Sequence, residues 1–117
     1  MNIDDKIKAI VAALEDIKAQ DITVLDTSRL TSLFERMVIA SAESSRQTKA
    51  LASSVRDRMK ELGEQVIGME GEETGEWVLV DMGDVVVHVM HPAVRAHYNL
   101  EELWDATLNT RNPSASS

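Results

Sequence analysis

The chain has 117 residues, 44% hydrophobic and 27% charged, the proportions of one ordinary globular domain with a single core. It contains no cysteine, which excludes disulfide frameworks, thiol nucleophiles and thiolate zinc sites together and fits a reducing compartment. Twenty acidic residues against 12 basic ones give a net charge of −8, and the aromatics are limited to Phe34, Trp77, Tyr98 and Trp104; this excludes a phosphate-neutralising surface and a base-stacking platform and favours a basic protein partner.

The first residues, Met1 to Lys6, carry two aspartates and no basic-then-apolar pattern, so no signal peptide is read there. No run of ~18 apolar residues occurs, so no membrane span is predicted and a soluble, cytoplasmic protein is expected. Ile3, Ile7, Ile10, Val11, Leu14 and Ile17 repeat at helical spacing, with Asn2 as cap and Asp4 and Asp5 in the first turn. Ile22 to Leu25 read as a β-branched strand ending at Asp26, and Thr27 to Thr31 as a turn. Met37 to Ala40 predict a buried strand.

Ser44, with Gln47 three residues on, makes a capping-box pattern for a helix whose inner face is Leu51, Val55, Met59 and Leu62, stopped by Gly63. Val66-Ile67 suits a brief strand, and Glu70 to Glu76 a polar, glycine-punctuated loop. Trp77 to Met82 and Val85 to Met90 form the clearest hairpin, turned at Gly83-Asp84. Pro92 opens a short helix through Tyr98, and Asn99 with Glu102 caps a terminal helix bearing Leu100, Leu103 and Trp104 on one side. The expected architecture is α/β, one mixed sheet flanked by helices on each side. A single domain over residues 1–108 and a disordered tail over 109–117 are expected.

The chemistry-bearing residues have ordinary readings. His88 and His91 are three apart, a metal-ligand spacing on a helix, but a strand turns them to opposite faces, so no metal site is predicted. Asp81 and Asp84 could hold Mg²⁺ as a pair, yet the turn between them explains aspartate beside glycine through local hydrogen bonds. Ser41 to Ser45 lacks the lysine and glycine-rich loop of a nucleotide site, and capping accounts for Ser44. The four glutamates from Glu70 to Glu76 match no calcium-loop spacing, and no serine sits in a nucleophile elbow. No catalytic residue, metal or cofactor is therefore expected. The residues alone favour a core position for Trp104 and leave Trp77 open between core and hot spot.

The stretch from Gly75 to Pro92, with Trp77, Asp81, Met82-Gly83-Asp84, His88 and His91-Pro92, resembles the ribosomal silencing factor family, also called Iojap-like. Arg95, Tyr98 to Glu101 and Leu103-Trp104 continue the likeness. So do Asp21-Ile22, Val24 to Asp26, Val38 to Ser41, Ser44, Arg46-Gln47 and Glu70-Gly71, so that it covers residues 2 to 107. The chain departs from the family at Ala42, where many members have glycine, and at Glu35-Arg36, where many carry an acidic–aromatic pair.

The resemblance implies a nucleotidyltransferase-like fold without catalytic residues. It also implies binding to the fourteenth protein of the large ribosomal subunit, on the face that meets the small subunit. Joining of the subunits would be blocked and translation lowered when nutrients are scarce. A homodimer off the ribosome is a further expectation, while the charge and the apolar runs read above lead to no expected membrane association and no direct nucleic-acid specificity. Organelle relatives are linked to large-subunit assembly, so an assembly factor is one alternative and a nucleotidyltransferase-like enzyme another. Within the matched motifs the expected partner-binding residues are Trp77, Leu79, Asp81, Asp84, His91, Arg95, Tyr98 and Leu100.

Overall fold

A computed structural model describes residues 1–103. Helix α1 spans Ile3–Asp16; Asn2 accepts the Asp5 amide at 2.8 Å, and Asp4 and Asp5 complement the helix dipole. Strand β1 follows (Gln20–Asp26), then β2 (Arg36–Ser41) and helix α2 (Ser45–Glu61). Strands β3 (Gly68–Glu70), β4 (Trp77–Asp81) and β5 (Val85–Met90) lead into helix α3 (Pro92–Tyr98). Backbone helical geometry resumes at Leu100.

The strands form one five-stranded sheet in the order β1-β2-β5-β4-β3. β2 and β5 run parallel, and the other neighbouring pairs are antiparallel. Alternation along the strands then divides the sheet into two faces. Val38, Ala40, Val78, Val80, Val85, Val87 and Val89 point to α1 and α2, where Ile10, Leu14, Leu51, Val55 and Met59 complete a fully buried core. On the opposite face Leu25, Met37, Ile39 and Met90 make a smaller cluster, against which Phe34, Trp77, Val94 and Leu100 pack. Helical residues flank both faces, as expected, but the two long helices cover only one.

Some local expectations shift. The third strand is Gly68–Glu70 rather than Val66-Ile67, because the ladder with β4 pairs Gly68 with Asp81 and Glu70 with Leu79. Val66 packs on the core instead, and Ile67 is exposed. Leu62, expected on the inner face of α2, is the C-cap residue and is 43% exposed. The capping box at α2 is half made: Ser44 Oγ accepts the Gln47 amide at 3.1 Å, whereas Gln47 Nε2 donates to the Ile17 carbonyl at 3.2 Å. The expected core position of Trp104 and the expected tail over 109–117 lie outside the described residues.

Candidate functional site

The sheet face opposite α1 and α2 carries a groove of about 640 Å³. Its floor is Met37 from β2, Val86 and His88 from β5, and Leu79 and Asp81 from β4. These residues share one side because Met37 pairs with Val86, Leu79 with His88 and Asp81 with Val86. Leu33, Phe34, Ile67, Gly83, Leu100 and Leu103 form its rim. Three rim residues are strongly exposed for their type, Leu33 at 80%, Leu103 at 65% and Ile67 at 61%. Apolar surface gathered around one concavity in this way marks a binding site.

At one end of the groove, Trp77 donates its indole N–H to His88 Nδ1 at 2.9 Å. The Tyr98 ring leans on Trp77, with centroids 4.9 Å apart at 49°, and His97 meets Tyr98 edge-on at 5.0 Å. Burial pushes the His88 pKa down to about 4, so the ring is neutral at physiological pH. Trp77 is half-buried: it packs against the small cluster and meets Tyr98, itself 56% exposed. The loop that delivers Trp77 turns at Gly71, whose φ is +87° and where a Cβ would fall 2.0 Å from the Trp77 carbonyl oxygen. Only glycine fits there.

The remaining residues expected at a partner contact have intramolecular duties. Asp84 accepts from Lys6 Nζ at 2.6 Å, and its carbonyl accepts from the Glu35 and Arg36 amides at 2.7 and 3.1 Å. Lys6, only 4% exposed, also lies 3.7 Å from Glu64, so a cation on α1 ties the hairpin turn to the segment after α2. Asp81 Oδ1 accepts the Gly83 amide at 2.9 Å, the turn chemistry expected of it. His91 Nδ1 accepts the Ala93 amide at 3.2 Å and caps α3, while His88 faces the groove; the two do not converge.

Arg95 faces inward. It is 9% exposed and grips Glu101 with two bonds, Nε to Oε1 at 2.7 Å and Nη2 to Oε2 at 2.9 Å. Nη1 reaches Ser41 Oγ at 2.8 Å and Nη2 reaches Thr23 Oγ1 at 3.0 Å. Arg95's hydrogen bonds hold the Glu101 carboxyl below the usual carboxylate range. This clamp joins α3 and the segment after it to β1 and β2, which seats Leu100 at the rim. Among the described residues, no three His, Asp or Glu side chains are grouped to hold a metal ion.

A family model described as "Ribosomal silencing factor during starvation" matches residues 1–116. The chain belongs to the ribosomal silencing factor family. It is 60% identical over 104 residues to "Ribosomal silencing factor RsfS" of Chromobacterium violaceum, covering 89% of this chain and 85% of that one. It is 43% identical over 109 residues to the protein of the same name in Bacillus subtilis, covering 92% of each. A crystal structure of a Chromobacterium violaceum protein is similar at a TM-score of 0.88 and 60% identity, over 89% of this chain and 87% of that one.

For a member of the silencing factor family, the groove brings Leu79, Asp81 and Leu100 together, with Trp77 and Tyr98 beside it, while Asp84, His91 and Arg95 hold the framework. Sequence reading missed Leu33, Phe34, Met37, Ile67, Gly83, Val86, His88 and Leu103 as groove residues. Two signals were present. Leu33-Phe34 is an apolar pair in a segment with no periodic partner, and Val86 and His88 alternate with the buried valines of β5. At the two departures from the family pattern, Ala42 is buried beside Met90, whose carbonyl accepts its amide at 3.2 Å, and Arg36 pairs with Asp26 at 3.2 Å.

Proposed function

We propose that this chain binds the large ribosomal subunit through its fourteenth protein and, by occupying the face that meets the small subunit, keeps the two subunits apart. Translation is lowered without a reaction at the chain itself. Family membership supports a ribosomal, regulatory role. The observation that carries the reading is the groove: a sheet face that the described residues leave open, apolar inside, ringed by exposed leucine and isoleucine.

Trp77, Leu79, Asp81, Tyr98 and Leu100 are the contacts, joined by Leu33, Ile67, Val86, His88 and Leu103. Asp84, His91 and Arg95 act by holding that surface in shape. A standard interface buries ~1,600 Å² in total, within reach of one face of a chain this size. The net charge of −8 suits a basic ribosomal protein, speeds encounter and opposes contact with RNA phosphates. It also disfavours pairing of two copies, so a homodimer off the ribosome yields readily to a basic partner.

The test is subunit joining followed by sedimentation, with purified large and small subunits and rising doses of the chain. Joined ribosomes are expected to fall with dose, and Leu79→Asp is expected to abolish the effect. Joining left intact at saturating wild-type protein would sink the reading. Removing the protein from cells is expected to leave mature subunits; accumulated large-subunit precursors would point to assembly instead.

A further inference from the structure

The groove contains two polar side chains among apolar walls, the Asp81 carboxylate and the His88 imidazole. They play opposite parts. Asp81 is an acceptor, with one oxygen already engaged by the Gly83 amide. The part played by His88 is fixed by Trp77. An indole N–H can only donate, so His88 Nδ1, which receives it at 2.9 Å, holds a lone pair and no hydrogen. A neutral imidazole with a bare Nδ1 carries its hydrogen on Nε2. Among the described residues Nε2 makes no hydrogen bond, and no buried side-chain nitrogen or oxygen lacks a partner, so Nε2 reaches the groove surface. Burial of the ring keeps it neutral.

We propose that His88 is the specificity residue of the groove, presenting a fixed Nε2–H donor to an uncharged oxygen, a peptide carbonyl or hydroxyl, on the basic protein segment that docks there. The inference rests on the docking reading above and deepens it. A dry contact that covers this donor without an acceptor leaves it unpaired, so segments lacking an oxygen at that point are rejected. An anionic acceptor is disfavoured by Asp81, one diagonal step across the hairpin, and by the chain's overall negative charge. A segment with a basic group opposite Asp81 and a neutral oxygen opposite His88, around an apolar anchor, satisfies both. Trp77 is the positioning residue: it selects the tautomer.

Two amide substitutions separate the two nitrogens. His88→Asn places an acceptor where Nδ1 stands, keeps a partner for Trp77 and removes the groove donor. His88→Gln carries its amide N–H toward the position of Nε2. With purified bacterial large ribosomal subunits, His88→Asn is expected to weaken binding about tenfold and His88→Gln to recover most of the loss. Nitrogen-15 spectra of the free wild-type chain at neutral pH are expected to show a protonated Nε2 and a bare Nδ1, and Trp77→Phe to produce a mixture of tautomers. A hydrogen on Nδ1 in the wild type, or unchanged binding by His88→Asn, overturns the role of His88. If Leu79→Asp weakens binding while His88→Asn does not, only this inference falls; if neither does, the docking reading falls with it.

Discussion

The two faces of the sheet are built by alternate residues of the same strands, yet they behave as different materials. Toward α1 and α2, five valines of β4 and β5 and the inner residues of both helices are wholly removed from water, and no polar floor residue interrupts them. On the other side the strands present His88, Asp81, Ser41 and Thr23 among apolar neighbours, and the described residues that pack over them are Phe34, Trp77, Val94 and Leu100. The first face holds the molecule together. The second is left unfinished in a way that a partner can complete, and it is kept rigid by being the reverse side of a close-packed layer.

If that division is right, truncation on the covered face falls on stability. Leu51→Ala, at a wholly buried position, is expected to cost about 2–5 kcal/mol in urea unfolding. A smaller loss, about 2 kcal/mol, is expected for Arg95→Ala, which strands Glu101, Ser41 and Thr23 at the α3 end of the open face.

Acid sharpens the contrast. The folded pKa of His88 is depressed from 6.5 to about 4, so the unfolded chain binds a proton that the folded one refuses. Its contribution is present above pH 6.5 and lost as pH falls toward about 4, the loss reaching about 1 kcal/mol near pH 5.5. Thermal melts of His88→Gln should lack that part of the slope. Glu101, also depressed, adds stability above the ordinary glutamate range that disappears as pH falls through its lowered value, and Glu101→Gln should flatten the remaining acid limb. The smallest effect on folding is expected at the rim: Leu33→Ser should change stability by less than about 0.5 kcal/mol while still weakening binding to large subunits. A rim variant that unfolds the chain would erase the distinction between the faces.

Much of this arrangement was legible in the sequence where the signal was local. The β4–β5 hairpin follows from alternation on both sides of Gly83-Asp84, and α1 and the start of α2 from their apolar spacing and caps. β3 was placed two residues early because an edge strand of three residues takes its position from its partner's ladder, not from its own hydrophobicity. Leu62 belongs by period to the inner face of α2, but the helix ends before that face continues. At the candidate site, the motif singled out Trp77, Leu79, Asp81, Tyr98 and Leu100, whereas the inward turn of Arg95 and the Lys6–Asp84 tie were illegible. The latter joins residues 78 positions apart, and nothing in composition distinguishes a buried lysine from a solvated one. His88 needed the cross-strand diagonal to Trp77 before its ring could be assigned a tautomer.

The parallel seam between β2 and β5 pairs residues 49 positions apart, Arg36 with Val85 through Ser41 with Met90. Among the described residues it is the only bridge within the sheet between the amino-terminal pair of strands and the carboxyl-terminal three. A nascent chain halted before Val85 can form local helices and the first hairpin, but it cannot close this seam or assemble the groove floor, which takes Met37 from one half and Val86 from the other. Products that end ahead of β5 therefore cannot present the surface.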